Sequence, residues 1–414
     1  MKDSRVLKKL SLACSLIGAI LFAQEPGTGG DDYLSGLKNR QLDLEQKRID
    51  AQSSTLRDSW IQPIRLQYSY TKSDPYGSDQ TTKNASITID QPIFKSGGIY
   101  YAIKYAEASH RMATDGLEQQ RRALIKQAVS LLMQIRQAGL QIERQQLLIS
   151  NAKINLEQKR ELYLNGQLDS GFLDSAMIEA NRAEQLLYDL QSSKERLLSA
   201  FGGISDLDPQ RARIPHLALL DETEFMEHNI DLRYLQSERE VNRYGESVTF
   251  AKYLPQFNIV AGYHRDENED VVFAEGFPSI SSKTSYYKYG FKISLSLDIN
   301  SISENEVARV EYLKSMVVLD DKKRELRDLY EQVDQNLRNS DRKIALAERN
   351  SKLYGDILQE TKELYKAGYK TEYDVQNLEN SVTIQQLDTQ IYELDRQREL
   401  LNLYEKVTLE GRGL

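Results

Sequence analysis

The alternation of apolar and polar positions predicts four strands, arranged as two pairs. The first pair is predicted at about residues 62–72 and 84–94, and the second at about 255–264 and 285–299. The clearest strand alternates over thirteen residues, with apolar side chains at Tyr287, Tyr289, Phe291, Ile293, Leu295, Leu297 and Ile299. Such alternation is typical of a strand with two unlike faces. Because tyrosines cluster at one end and charges occupy the other face, we favour a lipid-facing strand over one in a soluble sandwich.

A helical period replaces this alternation along most of the remaining chain. A weakly apolar helix is predicted at about residues 34–58, and two long helical hairpins at about 98–201 and 301–408. Apolar residues recur seven apart in both hairpins: Leu117, Leu124 and Leu131; Ala128, Ile135, Ile142, Ile149 and Leu156; Leu337 and Ile344; and Leu387, Leu394 and Leu401. This spacing predicts coiled-coil packing. A helix of about 65 residues would be about 100 Å long.

The chain repeats itself at a distance of about 202 residues. Leu162-Tyr163-Leu164-Asn165-Gly166 interrupts the first helical pattern, and Leu364-Tyr365-Lys366-Ala367-Gly368 interrupts the second. A strand pair lies upstream of each copy. We therefore predict two tandem structural repeats, 24–215 and 216–414, each a strand pair plus a long coiled-coil hairpin. The expected fold class is mainly α with a membrane β contribution.

The first 23 residues have the layout of an export signal peptide, with basic residues followed by a short apolar run that ends at Ala23. A lipid anchor at Cys14 is the alternative. The chain carries 54 basic and 62 acidic residues, and removal of the signal changes the net charge from −8 to −11. An acidic exported protein is a poor candidate for binding nucleic acid.

The sequence offers no recognisable catalytic, cofactor or metal motif. The four histidines are far apart and lack metal-ligand spacing. Phosphate-binding loops, nucleophile elbows and dinucleotide fingerprints do not occur. We therefore expect no enzymatic activity, no cofactor and no metal site.

Four strands are too few for a closed membrane structure. Open strand edges in lipid leave backbone groups unsatisfied, and closed membrane barrels use at least about eight strands. We expect a homotrimer with a shared 12-stranded barrel, continued by a tunnel of packed helices.

At the junction of the second strand and first hairpin stands Gln91-Pro92-Ile93-Phe94-Lys95-Ser96-Gly97-Gly98. With this junction and the duplicated glycine tips, the mature chain resembles the TolC-type outer-membrane efflux proteins (outer membrane factors). The second junction departs from the pattern, since Ser296-Leu297-Asp298-Ile299-Asn300-Ser301 lacks its proline and glycines.

The resemblance implies a passive exit duct in the outer membrane of a Gram-negative bacterium, with the helical tunnel in the periplasm. The duct would belong to a tripartite efflux or type I secretion system. Implied partners are a periplasmic adaptor (membrane fusion) protein, an inner-membrane pump of the RND or ABC type, and outer-membrane lipid.

The resemblance also implies a lock at the periplasmic tips. In the family, a tyrosine and a basic residue of the second tip bond an aspartate on the first hairpin. Tyr365 and Lys370 match the first two positions. The aspartate position is occupied by Phe172, with Asp169 and Asp174 close by as substitutes.

The family also carries inward carboxylates near the tip glycines, here Gly166 and Gly368. Asp374 matches one of them, and Asn377 occupies the next turn. We expect one ring of three Asp374 carboxylates, which would favour cations and bind divalent metals weakly. The alternative is that Asp374 caps or solvates the helix after the tip.

Two other readings are a trimeric surface adhesin or stalk and a periplasmic adaptor protein. An adhesin usually places its barrel strands at one terminus, and an adaptor has one helical hairpin. Neither explains the duplication of strands and hairpins in one chain.

Overall fold

The computed structural model describes residues 31–74, 79–271, 278 and 280–408, so the predicted signal peptide and Cys14 lie outside the described residues. The chain is mainly helical with one small antiparallel sheet, which confirms the coarse fold class. A short 3₁₀ helix (Asp31–Tyr33) precedes the seven α-helices of the described part, which are α1 (Gly36–Arg57), α2 (Gly98–Leu164), α3 (Ser170–Gly202), α4 (Glu222–Glu227), α5 (Ile230–Lys252), α6 (Ser301–Lys366) and α7 (Glu372–Tyr404). The strands are β1 (Arg65–Ser73), β2 (Gln80–Phe94), β3 (Gln256–Val271) and β4 (Ile280–Ser294).

The four strands form an antiparallel sheet in the order β1-β2-β3-β4, so β1 and β4 are its edges. The register aligns Leu66, Ile87, Tyr263 and Tyr287 across all four strands. Since alternate residues point to opposite faces, these side chains share one apolar face. On the other face, the amide of Asn258 donates to the Asp90 carboxylate at 2.6 Å. The sheet therefore has one apolar and one polar face.

Pairing between the strands of the second pair extends further toward their connecting loop than the sequence indicates. The alternation predicts strands that end at about residue 264 and begin at about residue 285, yet β3 continues to Val271 and β4 begins at Ile280. Cross-strand ion pairs hold the charged residues in the ladder: Lys83 lies 2.7 Å from Glu269, and Lys283 lies 3.0 Å from Glu267. Opposite charges on paired strands stabilise a sheet rather than end it.

β4 also ends earlier than the alternation predicts. Its last paired residue is Ser294, opposite Gln256, where β3 begins. The apolar positions beyond it, Leu297 and Ile299, are 90% and 95% exposed. The alternating pattern therefore continues past the point where a partner strand is present.

The two strand-to-helix junctions differ, as the sequence indicates. At the first, Gly97 has a φ of 87°, a left-handed conformation that favours glycine. A Cβ on the next residue, Gly98, would lie 3.1 Å from that of Ala251, so close packing also requires glycine there. At the second, the Asp298 carboxylate instead accepts from the Asn300 amide at 2.8 Å, and Asn300 keeps a right-handed conformation.

The long helices pack side by side in the order α3-α2-α7-α6, because α2 contacts both α3 and α7, and α7 contacts α6. α2 also packs against α1 and α5 nearer the sheet. The predicted heptad positions Ala128, Ile135, Leu337, Leu387 and Leu401 are all buried. The core is densest midway along the hairpins, where the fully buried side chains include Leu132, Met133, Phe201, Phe225, Leu326 and Leu400. No helix in the described ranges is both long enough and apolar enough to cross a membrane.

Candidate functional site

The two hairpin tips are built on the same five-residue turn. It covers residues 165–169 between α2 and α3, and residues 367–371 between α6 and α7. Gly166 and Gly368 take φ values of 70° and 81° at equivalent positions. A Cβ at either glycine would meet nothing within 4 Å. The backbone conformation alone therefore requires glycine at both tips.

Identical backbone hydrogen bonds close the two turns. In each, the glycine amide donates to the second-last carbonyl of the long helix, and the following amide donates to the carbonyl one residue earlier. The bonds are Gly166 to Tyr163 (3.0 Å), Gln167 to Leu162 (2.9 Å), Gly368 to Tyr365 (3.0 Å) and Tyr369 to Leu364 (2.9 Å). This is the Schellman pattern, which satisfies carbonyls at the end of a helix. The duplicated sequence thus gives a duplicated turn.

The helices that leave the tips are capped differently. Asp169 caps α3 by accepting from the Gly171 amide at 2.8 Å. Thr371 caps α7: its Oγ1 accepts from the Asp374 amide at 3.2 Å, while the Asp374 carboxylate accepts from the Thr371 amide at 2.9 Å. This reciprocal arrangement is a capping box, and it engages the predicted constriction residue.

The capping box also changes the acidity of the tip. The hydrogen bond from the Thr371 backbone is the main cause that lowers the pKa of Asp374, and the Thr371 hydroxyl and the Lys370 charge act in the same direction. At neutral pH the carboxylate is therefore firmly ionised. Asp374 has the capping role that was its alternative reading, and it also supplies a fixed negative charge at the second tip.

The remaining predicted tip residues lie close to the turns. Tyr365 is the second-last residue of α6 and is 44% exposed, while Lys370 is an exposed residue of the turn itself. Asp174 is exposed on the first turns of α3, and Asn377 is half-buried one turn after Asp374. Within the described chain, no hydrogen bond or ion pair joins Tyr365 or Lys370 to Asp169 or Asp174. Their role as a lock stays a prediction.

The repeat places Phe172 and Asp374 at matching positions. Each is the third residue of the helix that leaves its tip, and they are 202 residues apart. Phe172 is 57% exposed. The two tips therefore share a backbone and present different chemistry, an aromatic ring at one and a carboxylate at the other.

Polar contacts between α2 and α7 join the two hairpins along their length, and we call this surface the inter-hairpin seam. The contacts are Lys126–Glu405 (2.6 Å), Gln137–Asp395 (2.9 Å), Arg144–Asp388 (2.7 Å), Asn151–Asn380 (2.7 Å) and Glu161–Tyr373 (3.2 Å). At the tip end, the bond to Glu161 is the main cause that raises the pKa of the Tyr373 phenol. Sequence reasoning missed this seam because heptad analysis follows apolar positions, and its partners are more than 200 residues apart.

Residues 40–203 match the family model described as outer membrane efflux protein. The family resemblance is confirmed. The match lies within the predicted first repeat and runs from within α1 through the first strand pair to the end of α3. No curated protein sequence matches the chain.

Solved structures of outer-membrane channels share the fold of most of the chain. The outer membrane protein VceC of Vibrio cholerae covers 91% of this chain and 95% of its own, at 15% identity and a TM-score of 0.69. The outer membrane channel CmeC of Campylobacter jejuni covers 94% and 90%, at 12% identity and a TM-score of 0.69. The outer membrane channel MtrE of Neisseria gonorrhoeae covers 88% and 84%, at 13% identity and a TM-score of 0.61. At these identities the likeness is one of fold, and its coverage includes parts of both predicted repeats.

Proposed function

We propose that the protein is the outer-membrane exit duct of a tripartite efflux or type I secretion system, and that it works as a homotrimer. Substrates would pass through a shared 12-stranded barrel and a periplasmic helical tunnel. Energy would come from an inner-membrane pump, and a periplasmic adaptor would dock at the tips. The chain itself would act passively, as a conduit that opens and closes.

The observation that carries this proposal is that both the sheet and the row of long helices in the described chain have unpaired edges. Its sheet has two edge strands, and the edge strand β4 exposes Tyr287, Tyr289 and Phe291 by 77%, 80% and 79%. Water-exposed aromatic residues on a long edge strand are a liability that proteins cover or pair. Lipid against the apolar face and another copy against each edge would remove both problems.

The helical row is open in the same way. α3 packs against α2 at one end of the row, and α6 packs against α7 at the other. The tip-side parts of the outer helices α3 and α6 expose apolar side chains such as Ile178, Leu186, Leu346 and Leu353. A head-to-tail contact between α3 of one copy and α6 of the next would cover both edges, and closure of such contacts gives a ring.

The faces of the sheet support a channel with lipid outside and water inside. The apolar face would contact lipid, and the polar face, with Asp90 and Asn258, would line the lumen. On the apolar face, Arg265 and Ser285 form the next row after Tyr263 and Tyr287, and the ion-paired Glu267 and Lys283 follow them. We interpret them as the end of the lipid-facing band.

The first test is the protein mass of the complex extracted from outer membrane in detergent, measured by light scattering with the detergent contribution subtracted. A mass three times that of the mature chain supports the shared barrel and tunnel. A monomer in the periplasmic fraction would contradict the duct and favour an adaptor. A trimeric mass combined with unchanged drug and toxin export after deletion of the gene would favour a stalk or adhesin.

A further inference from the structure

The polar face of the sheet has a cation at each of its two edges. In the register, Arg65, Thr88, Gly262 and Lys288 form one row across the four strands. Since alternate residues point to opposite faces, this row lies on the polar face, next to the apolar row that contains Leu66. Arg65 lies on the edge strand β1 and Lys288 on the edge strand β4, and both are exposed.

These two cations have no counter-ion within the described chain. The side chains of Arg65 and Lys288 make no hydrogen bond or ion pair with any described residue. Four residues further along β4, on the same face, Lys292 is paired with the carboxylate of Asp90, which also accepts from the Asn258 amide at 2.6 Å. The carboxylate that the sheet supplies at this end of its polar face is therefore already in use.

The next carboxylate on the polar face lies far from the two free cations. Asp266 is four residues along β3 from the row of Lys288, which is about 13 Å at about 3.3 Å per residue. Charges in water are largely screened beyond about 10 Å at 0.1 M salt. Arg65, Lys288 and Lys292, together with Asp90, form what we call the basic band. Its three cations and one carboxylate leave two net positive charges per chain, although the protein as a whole is acidic.

We infer that the basic band draws anions into the barrel, so that the sheet end of the duct favours anionic solutes and Arg65 and Lys288 set this preference. The inference rests on the proposed function, in which the polar face lines the lumen of a shared barrel. A homotrimer would then hold six net positive charges around the lumen at one level. At the tips Asp374 would act in the opposite direction, so the two ends of the duct carry charges of opposite sign.

The width of the proposed barrel lets these charges act on most of its cross-section. Twelve strands spaced about 4.8 Å apart and tilted by about 40° give a circumference of about 75 Å and a radius of about 12 Å. The field of a wall charge extends about 10 Å at 0.1 M salt but only about 3 Å at 1 M salt. The preference for anions should therefore be strong at low ionic strength and confined to the wall at high ionic strength.

The test places a thiol inside the basic band and measures the local potential. Gly290 lies between Lys288 and Lys292 on β4, and a Cβ there would meet nothing within 4 Å, so Gly290→Cys fits without a clash. The detergent-extracted trimer is labelled with two methanethiosulfonate reagents, the anionic sulfonatoethyl and the cationic trimethylammonioethyl compound. The unaltered chain, whose one cysteine is Cys14, gives the background labelling.

The measured quantity is the rate of the anionic reagent divided by that of the cationic reagent, normalised to the same ratio for free mercaptoethanol. Both reagents attack the same thiolate, so a change in the pKa of the thiol cancels in the ratio. A local potential of one kT per unit charge gives a ratio of about seven. We expect about this value in 0.1 M salt and a fall toward one in 1 M salt.

Charge removal on the two faces of the sheet provides the matched variants. Arg65→Gln and Lys288→Gln, each made in the Gly290→Cys protein, should lower the ratio. Lys283→Gln removes the same charge from the same strand, but Lys283 is paired with Glu267 on the apolar face, so this control should leave the ratio unchanged. A ratio at or below one in the trimer, or one that neither Arg65→Gln nor Lys288→Gln lowers, overturns the inference and leaves the duct intact.

Reversal potentials in planar bilayers give a second measurement that does not need the introduced thiol. In Asp374→Asn, which lacks the opposing charge at the tips, chloride should permeate more readily than potassium at 0.1 M salt, and the further change Lys288→Gln should reduce this preference. A preference for potassium in Asp374→Asn would contradict the inference. A monomeric mass in detergent would instead contradict the proposed function on which the inference rests.

Discussion

The capping box at the second tip leads to a prediction that separates two roles of one residue. Thr371→Ala removes the side chain that accepts from the Asp374 amide at 3.2 Å. Loss of such a cap costs about 1 kcal/mol. If this cost falls on local opening of the first turn of α7, the opening constant rises about fivefold, since RT is about 0.59 kcal/mol. The Asp374 carboxylate is retained in this variant.

Hydrogen exchange followed by mass spectrometry measures the opening directly. Amides in the first turn of α7 that have a hydrogen-bond partner, from the capped Asp374 to Gln376, should exchange about five times faster in Thr371→Ala. The first turn of α3 is capped by Asp169 instead and serves as the internal control. Thr371→Ser keeps a hydroxyl acceptor and should leave exchange at both tips close to that of the unaltered protein.

Acidification should have the same local effect as loss of the cap. The folded-state pKa of Asp374 lies below its ordinary value because the Thr371 amide bonds the ionised form. A lowered carboxyl pKa contributes stability that is present above the unfolded pKa and is lost as pH falls through the folded pKa. The protection of the first turn of α7, corrected for intrinsic exchange, should therefore decrease below about pH 4.

Asp374→Asn then isolates the charge. The amide oxygen can still accept from the Thr371 backbone, so tip protection should change little, whereas the preference of the channel for cations should weaken. Unchanged ion selectivity in reconstituted bilayers removes Asp374 from the constriction. Equal exchange of the α7 first turn in the unaltered protein and Thr371→Ala would refute the reasoning about the cap.

Three further perturbations test other parts of the structure. Gly368→Ala should destabilise the tip by about 1 kcal/mol because Gly368 has a positive φ. Gly355 lies inside α6 with open space around it, so Gly355→Ala should be neutral or stabilising by up to about 1 kcal/mol. Thermal unfolding and hydrogen exchange of the tip amides distinguish the two variants. Arg144→Ala should lower Tm because it leaves the largely buried Asp388 unpaired, and the double variant Arg144→Ala/Asp388→Ala should recover part of this loss. Equal Tm values in Arg144→Ala and the unaltered protein would contradict a structural role for the inter-hairpin seam. Leu326→Ala should cost about 2–5 kcal/mol in unfolding free energy because this fully buried side chain leaves a cavity, as denaturant titration of the purified protein measures.

The sequence predicts the parts of this fold that depend on periodic patterns. Alternation identifies the strands, and the heptads identify buried positions such as Ile135 and Leu387. The ends of β3 and β4 are less predictable, because a strand lasts only while a partner is present and charged residues can remain in a ladder when they are paired. A local pattern carries no information on either condition.

The candidate site also has features that the sequence predicts and features that it does not. Glycines in a repeated context indicate the two tip turns, since only a special backbone conformation demands them. The capping box at Asp374 can also be predicted from the sequence, because Thr371 and Asp374 have the required three-residue spacing. The bond between Glu161 and Tyr373 is not, since 212 residues separate the partners and neither residue is unusual in its own helix.

The tip turns are closed by backbone atoms, and this has a consequence for how such a protein can change over time. Once Gly166 and Gly368 are in place, the bonds that shape each turn are indifferent to the side chains around them. Either copy can therefore accept new residues at its exposed positions while the hairpin stays intact. Phe172 and Asp374 already differ in this way at equivalent positions of the two turns. A duplicated segment of this kind lets one gene change two surfaces independently, so that the proposed homotrimer would present six tips of two chemical kinds.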